Sequence, residues 1–182
     1  MTNLTLHDLD SAPIGSRKLL QSSVDNFGWI PNQSAYMAES PALLSSYQHA
    51  HSLFATSSLS EEEQSIVWIT VGLLNHCDYT IQAHYWIAEN NGVKADLLQL
   101  LIRSPKQLPK RLYALYEFTK CVARANGIIS KPSQLAFLTA GYTNENMLDV
   151  ILGVSQKTMS TLLNSIADTA IETQFLSAKE EA

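Results

Sequence analysis

The chain has 182 residues, a formal charge of −5 at pH 7 and an isoelectric point near 5.5. Its hydrophobic content of 46% and charged content of 16% are globular values, and the length fits one domain, 1–182, with a substantial core. The acidic balance argues against a nucleic-acid partner, because neutralising phosphates takes clustered Lys and Arg.

Lys106, Lys110 and Arg111 do lie close together, but Asp96 and Glu117 flank them, and the patch reads as a solvated helix approach. The apolar run from Ile66 to Leu74 is too short for a membrane span and is stopped by Asn75, so no membrane partner is expected. The first eight residues show no basic region followed by an apolar run, so no signal peptide is expected. Two cysteines, Cys77 and Cys121, do not make a disulfide framework. A cytoplasmic chain with free thiols is the simplest expectation.

The hydrophobic pattern is helical throughout. Residues 1–38 read as a helical N-terminal extension. Ser40-Pro41 opens the first clear helix as an N-cap followed by proline, with Leu43, Leu44, Tyr47, His51 and Phe54 along it. Ser60-Glu61-Glu62-Glu63 is a capping box, in which Ser60 and Glu63 satisfy each other's free backbone donors. That helix runs through Ile66, Val67, Ile69, Thr70 and Leu73. Asn75 is placed to cap a third helix, with Asp78 favouring its positive end, and Asn91-Gly92 stops it.

A short helix follows from Lys94 to Ile102, then Pro105 and Pro109 interrupt. Leu112, Leu115, Tyr116, Thr119, Val122 and Ala123 mark a helical face ending at Asn126-Gly127. Ser133 to Ala140 is short and closed by Gly141. Thr143 or Asn144 caps the last and longest helix, which runs past Ile166 towards Ile171. Its apolar residues, from Val150 to Ile166, cover more than one narrow stripe, which suits either a place at the centre of the core or, the favoured expectation, a contact with another subunit. No alternating strand pattern flanked by hairpin turns is present, so the class is all-α. The tail from Ala178 to Ala182 is expected to fray.

The chemistry concentrates in Asn75-His76-Cys77-Asp78-Tyr79-Thr80-Ile81-Gln82-Ala83-His84. On a helix, Thr80 and His84 are one turn apart on one face, and Cys77 continues the same stripe. A thiolate is the nucleophilic form of cysteine, and a helix N-terminus favours it. By the helical rise, His84 lies about 10.5 Å along the axis from Cys77, so a water or Thr80 must stand between them. Thr80 can hydrogen-bond His84 or its own helix backbone, but an alcohol does not attack peroxide oxygen. Two readings of Cys77 stand side by side, a reactive thiol and a buried small hydrophobe. For His84 they are proton transfer and a satisfied polar cluster at a helix contact.

Cys121, between Phe118 and Val122, reads as core unless its Cα lies within about 7 Å of that of Cys77. His76, Cys77, Asp78 and His84 are zinc-ligand types, but the first three point in successive directions around a helix, so no metal is expected. His49 and His51 likewise share no helical face. No cofactor is expected either. Trp68, Tyr85 and Trp86 read as core or subunit contacts, and Trp86 could wall a pocket.

The capped helix from Leu59, the apolar run to Leu74 and the framing Asn75-x-Cys77-x-Tyr79-x-x-x-Ala83-His84 resemble the alkyl hydroperoxidase D-like group of the carboxymuconolactone decarboxylase-like superfamily, nearest its peroxidase-related members. Ala140-Gly141-Tyr142-Thr143-Asn144 through Ile151, and Asn164 to Asp168, resemble its last segments. The resemblance spans roughly 40 to 170. It implies the all-α AhpD-like fold and assembly as a homo-oligomer, a trimer or hexamer. It further implies a C-x-x-C site whose second cysteine attacks peroxide and whose first resolves it, with a glutamate and a histidine relaying protons. Carried over, Cys77 matches the resolving cysteine and His84 the relay histidine. Thr80 stands in place of the attacking cysteine and Ser65 in place of the relay glutamate.

Three functions follow as expectations. The first is a thiol-dependent peroxidase of the alkyl hydroperoxidase or peroxiredoxin type, an antioxidant oxidoreductase using Cys77 and a hydroperoxide. The second is an acid–base, decarboxylase-like enzyme on a small carbonyl compound, with His84 oriented by Thr80, Tyr79 or Ser65. This motif shows no cationic clamp. The third is a non-catalytic or ligand-binding oligomer.

Overall fold

A computed structural model describes residues 4–125 and 127–176. Among these residues there are nine α-helices and two short 3₁₀ turns, with no strand. Two helices, α1 (Ile14–Phe27) and α2 (Asn32–Met37), precede the first helix with a clear sequence signal. That helix, α3 (Pro41–Ala55), is capped by Ser40, which accepts from Leu43 N. The capping box of α4 (Glu61–Leu74) forms as its sequence requires, with Ser60 and Glu63 bonding each other's backbone.

The third expected helix starts later. Asn75 ends α4, and Cys77 is the N-cap of α5 (Asp78–Asn90). His76, at φ 50°, makes the sharp turn between them. Asn75 cannot cap α5 because its side chain reaches across to Thr161 Oγ1, 2.8 Å away. The turn is closed by Cys77 N donating to Gly72 O at 3.0 Å. Then come α6 (Ala95–Arg103), a 3₁₀ turn at Pro105–Gln107, α7 (Lys110–Arg124) and α8 (Lys131–Thr139). The expected end of α7 at Asn126 lies outside the described residues, as does the tail from Ala178; Arg124 is the last helical residue of α7. Thr143 caps α9 (Asn144–Ala167) with Asn146 as its reciprocal partner. That helix ends at Asp168, in the left-handed region, short of Ile171.

The centre of the molecule is α4, buried on all sides from Glu63 to Gly72 and covered by α5, α7 and α9. A helix enclosed in this way gains little from one apolar stripe and is apolar nearly all round. Two glycines set close approaches. A Cβ at Gly72 would meet Thr80 Cγ2 at 3.0 Å, so Gly72 lets the site helix α5 lie against α4. A Cβ at Gly153 would fall 2.6 Å from the Phe54 ring, so α9 and α3 also meet through a glycine. After α9 the chain folds back over α5, and a second 3₁₀ turn (Thr173–Phe175) buries Phe175 among Phe27, Trp29, Tyr79 and Trp86. Trp86 is thus held in an aromatic cluster.

Candidate functional site

A cavity of about 450 Å³ lies between α1, α3 and α5, with Phe175 at one side. Tyr47 and His51 reach it from α3, Tyr79, Thr80 and His84 from α5, and Gln33 from α2. Behind it stands a residue that the sequence reading did not single out. Lys157 of α9 is 1% exposed, and its Nζ lies 2.5 Å from His84 Nε2 and 3.1 Å from the Tyr47 hydroxyl. It also lies over the rings of Tyr47 and Trp68, 5.2 and 5.3 Å from their centroids.

The electrostatics follow from burial and this one cation. Desolvation pushes the Lys157 ammonium below its ordinary range, partly offset by Tyr47 and then Cys77. Desolvation, then the charge of Lys157, then His51, hold His84 well below the usual imidazole value. Desolvation and Lys157 bring His51 down to about 3. Both rings are therefore neutral at pH 7. Burial alone would raise the Tyr47 hydroxyl, but the attraction of Lys157 outweighs it and the net shift is downward. His84 Nδ1 has no hydrogen-bond partner although it is buried. Trp68 packs against both rings, 4.7 Å from His51 and 4.6 Å from His84 between centroids, and the two imidazoles are themselves 6.4 Å apart.

Cys77 lines a second cleft of about 390 Å³, shared with Asn75, Asp78, Asn164 and Asp168. Its thiol donates to Thr80 Oγ1 at 3.3 Å, and Asn164 Nδ2 donates to its sulfur at 3.6 Å. The same Asn164 amide bonds Gln33 Oε1 at 2.9 Å. Thr80 thus touches both spaces: it lines the larger cavity and holds the thiol.

The residues read from the sequence divide into two groups. Cys77, Tyr79, Thr80 and His84 gather at α5: Cys77, Thr80 and His84 follow one stripe, and Tyr79 flanks it. Thr80 pairs with Cys77, and the bond to His84 open to it from sequence is taken by Lys157 instead. The Tyr79 hydroxyl donates to Glu172 at 2.9 Å and orders the returning chain; burial and that carboxylate push it up. Ser65 does not line either space and donates back to Glu61 O at 2.8 Å. The cationic group that the motif lacked comes from 80 residues downstream, at Lys157 (157 − 77). A signal for it existed: Val150, Val154, Lys157, Thr161 and Asn164 recur at helical spacing, and all five are buried.

Cys121 lies on α7 beside α8, lining a different cleft, and both cysteines are free. No metal-ligating cluster occurs among the described residues. Arg111, read as part of a solvated patch, donates from Nε and Nη2 to Glu63 Oε1 at 3.2 and 3.1 Å. No helix among the described residues is long and apolar enough to cross a membrane.

Comparison with known proteins agrees with this architecture. Residues 34–108 match the carboxymuconolactone decarboxylase family. The structure is similar to the alkylhydroperoxidase AhpD core of a peroxidase-related protein from Ralstonia eutropha, with 18% identity, TM-score 0.84, and 94% of this chain and 92% of that chain covered. A peroxidase-related protein from a Silicibacter species is similar at 17% identity, TM-score 0.80, with 96% and 92% covered. The debrominase Bmp8, as a cysteine-to-alanine variant in complex with 2,3,4-tribromopyrrole, is similar at 15% identity, TM-score 0.82, with 100% and 97% covered. At these identities the likeness is one of fold. No curated protein matches the chain. The family match covers residues 34–108, less than half of the chain, and the wider likeness is to the all-α fold of AhpD-like proteins.

Proposed function

We propose that the chain is a thiol-dependent oxidoreductase that reduces a small organic hydroperoxide with one redox cysteine. The observation that carries this reading is the buried Cys77 thiol, hydrogen-bonded to Thr80 and Asn164 next to a cavity large enough for a small molecule. In the proposed step the Cys77 sulfur attacks a peroxide oxygen, an S–O bond forms and the O–O bond breaks. The Cys77 S–H bond breaks as the S–O bond forms, and its proton passes by way of His84 to the leaving alkoxide. With threonine at position 80, no neighbouring thiol resolves the sulfenic acid. An external thiol then forms a mixed disulfide with loss of water, and a second one frees Cys77.

Brief exposure of the reduced protein to cumene hydroperoxide with a sulfenic-acid trap, followed by peptide mass mapping, tests the proposal. Trapping at Cys77 ahead of Cys121 is the expected result. An unmodified Cys77 at a dose that oxidises a free-thiol control overturns it.

A second reading is favoured by the bond between His84 and Lys157. Here the two groups move protons on a small carbonyl compound, and turnover survives Cys77→Ala. For either reading we propose a cytoplasmic homo-oligomer, a trimer or hexamer. Leu148 at 65% and Leu162 at 59% exposure leave apolar surface on α9 that suits a subunit contact.

A further inference from the structure

Lys157 presents an imbalance that the thiol chemistry does not use. Its Nζ is fully enclosed, yet no carboxylate of the described residues stands within ion-pairing distance. Both of its hydrogen-bond partners are uncharged side chains on the cavity wall. The described lining of that cavity contains no Asp, Glu, Lys or Arg. His51 and His84 are held neutral there, so they offer no competing charge of their own. Glu172, on the described part of the returning chain, accepts through Oε1 from the Asn32 backbone N–H and the Tyr79 hydroxyl and forms no ion pair with Lys157. A buried cation without a counter-ion is costly, and an anion entering from the cavity removes that cost.

The rest of the space defines the body of the ligand. Ile87, Phe27 and Phe175 supply apolar surface, while Gln33, Gln48, Asn26, Thr80 and several serines supply polar contacts around it. The buried His84 Nδ1 has no partner among the described residues, and a bound ligand would give it one.

We infer that the Tyr47–Lys157–His84 corner is a binding site for the negatively charged oxygen of a small, largely apolar organic anion, a carboxylate or phenolate. The anion is the missing counter-ion of Lys157. Its oxygen is held at the cavity wall by the hydroxyl of Tyr47 and by His84, with Lys157 directly behind both as the balancing charge, and its apolar body lies towards Ile87 and Phe175. This site stands whether or not Cys77 is redox-active.

Isothermal titration of the full chain with benzoate and with its uncharged analogue benzamide tests the inference. Benzoate should bind at least about tenfold more tightly than benzamide, and Lys157→Met should abolish the difference. Tyr47→Phe, which removes only one hydroxyl, should narrow it severalfold and guards against misfolding of the lysine variant. Equal binding of the two probes overturns the inference. So does no binding of either, or a preference that survives Lys157→Met. Benzoate selectivity without sulfenic-acid formation at Cys77 supports this site and rejects the thiol mechanism; the reverse pattern does the opposite.

Discussion

Two buried charges on neighbouring helices are handled in opposite ways. Glu63 of α4 is 7% exposed and every part of its carboxylate has work: one oxygen caps the Ser60 N–H, and the other accepts twice from Arg111. Lys157 of α9 is more deeply buried and has only a phenol and an imidazole. The first arrangement fixes a helix start to α7 and to Gly141, whose carbonyl also accepts from Arg111. The second retains an unspent charge beside a cavity. Paired buried charge holds a fold together, whereas unpaired buried charge is where a ligand or a reaction has something to gain.

That contrast gives its sharpest test in the sign of stability changes. Glu63→Ala should destabilise by about 2 kcal/mol, because it removes a cap and leaves Arg111 without its acceptor; the figure is reduced from the fully buried case since Arg111 is half-exposed. Chemical denaturation measures it. Lys157→Met should do the reverse and raise stability by about 1–2 kcal/mol in the same assay while losing the benzoate preference, since an apolar side chain of similar length replaces an uncompensated cation. Equal loss of stability in both variants would erase the distinction.

The pH dependence sharpens it further. His51 and His84 have folded values below the unfolded imidazole value, so between about pH 6.5 and the folded values the unfolded chain binds more protons. Stability should therefore fall as pH drops below about 6.5, by up to about 1.4 kcal/mol per unit for each ring. His51→Phe should remove part of that slope, and denaturation midpoints from pH 4 to 7 measure it. Lys157, also depressed, contributes in the same direction in alkali: stability rises with pH between its folded value and the ordinary lysine value. The smallest effect belongs to Tyr47→Phe, which should cost about 1 kcal/mol for one hydrogen bond.

Much of the helical framework was legible because its signals are local. Ser40-Pro41, Ser60 with Glu63, and Thr143 each mark a start by chemistry within four residues. The stripe Cys77–Thr80–His84 was legible for the same reason. Asn75 misled because its preference for caps is real but its side chain found Thr161, 86 residues away, and no local rule weighs such a partner. The corner of Tyr47, His51, His84 and Lys157 draws on α3, α5 and α9, so its existence depends on how three helices meet. Only the spacing of Lys157 within the buried face of α9 hinted at it.

The returning chain after α9 has a consequence for biosynthesis. Glu172 accepts from the Asn32 backbone N–H, a contact spanning 140 residues, and Phe175 closes one side of the cavity. Every earlier wall of the cavity is already translated when this last stretch leaves the ribosome. The pocket is thus finished only once residues 172–175 have been made, and a nascent polypeptide stalled before residue 172 carries the thiol without the Phe175 wall packed beside it.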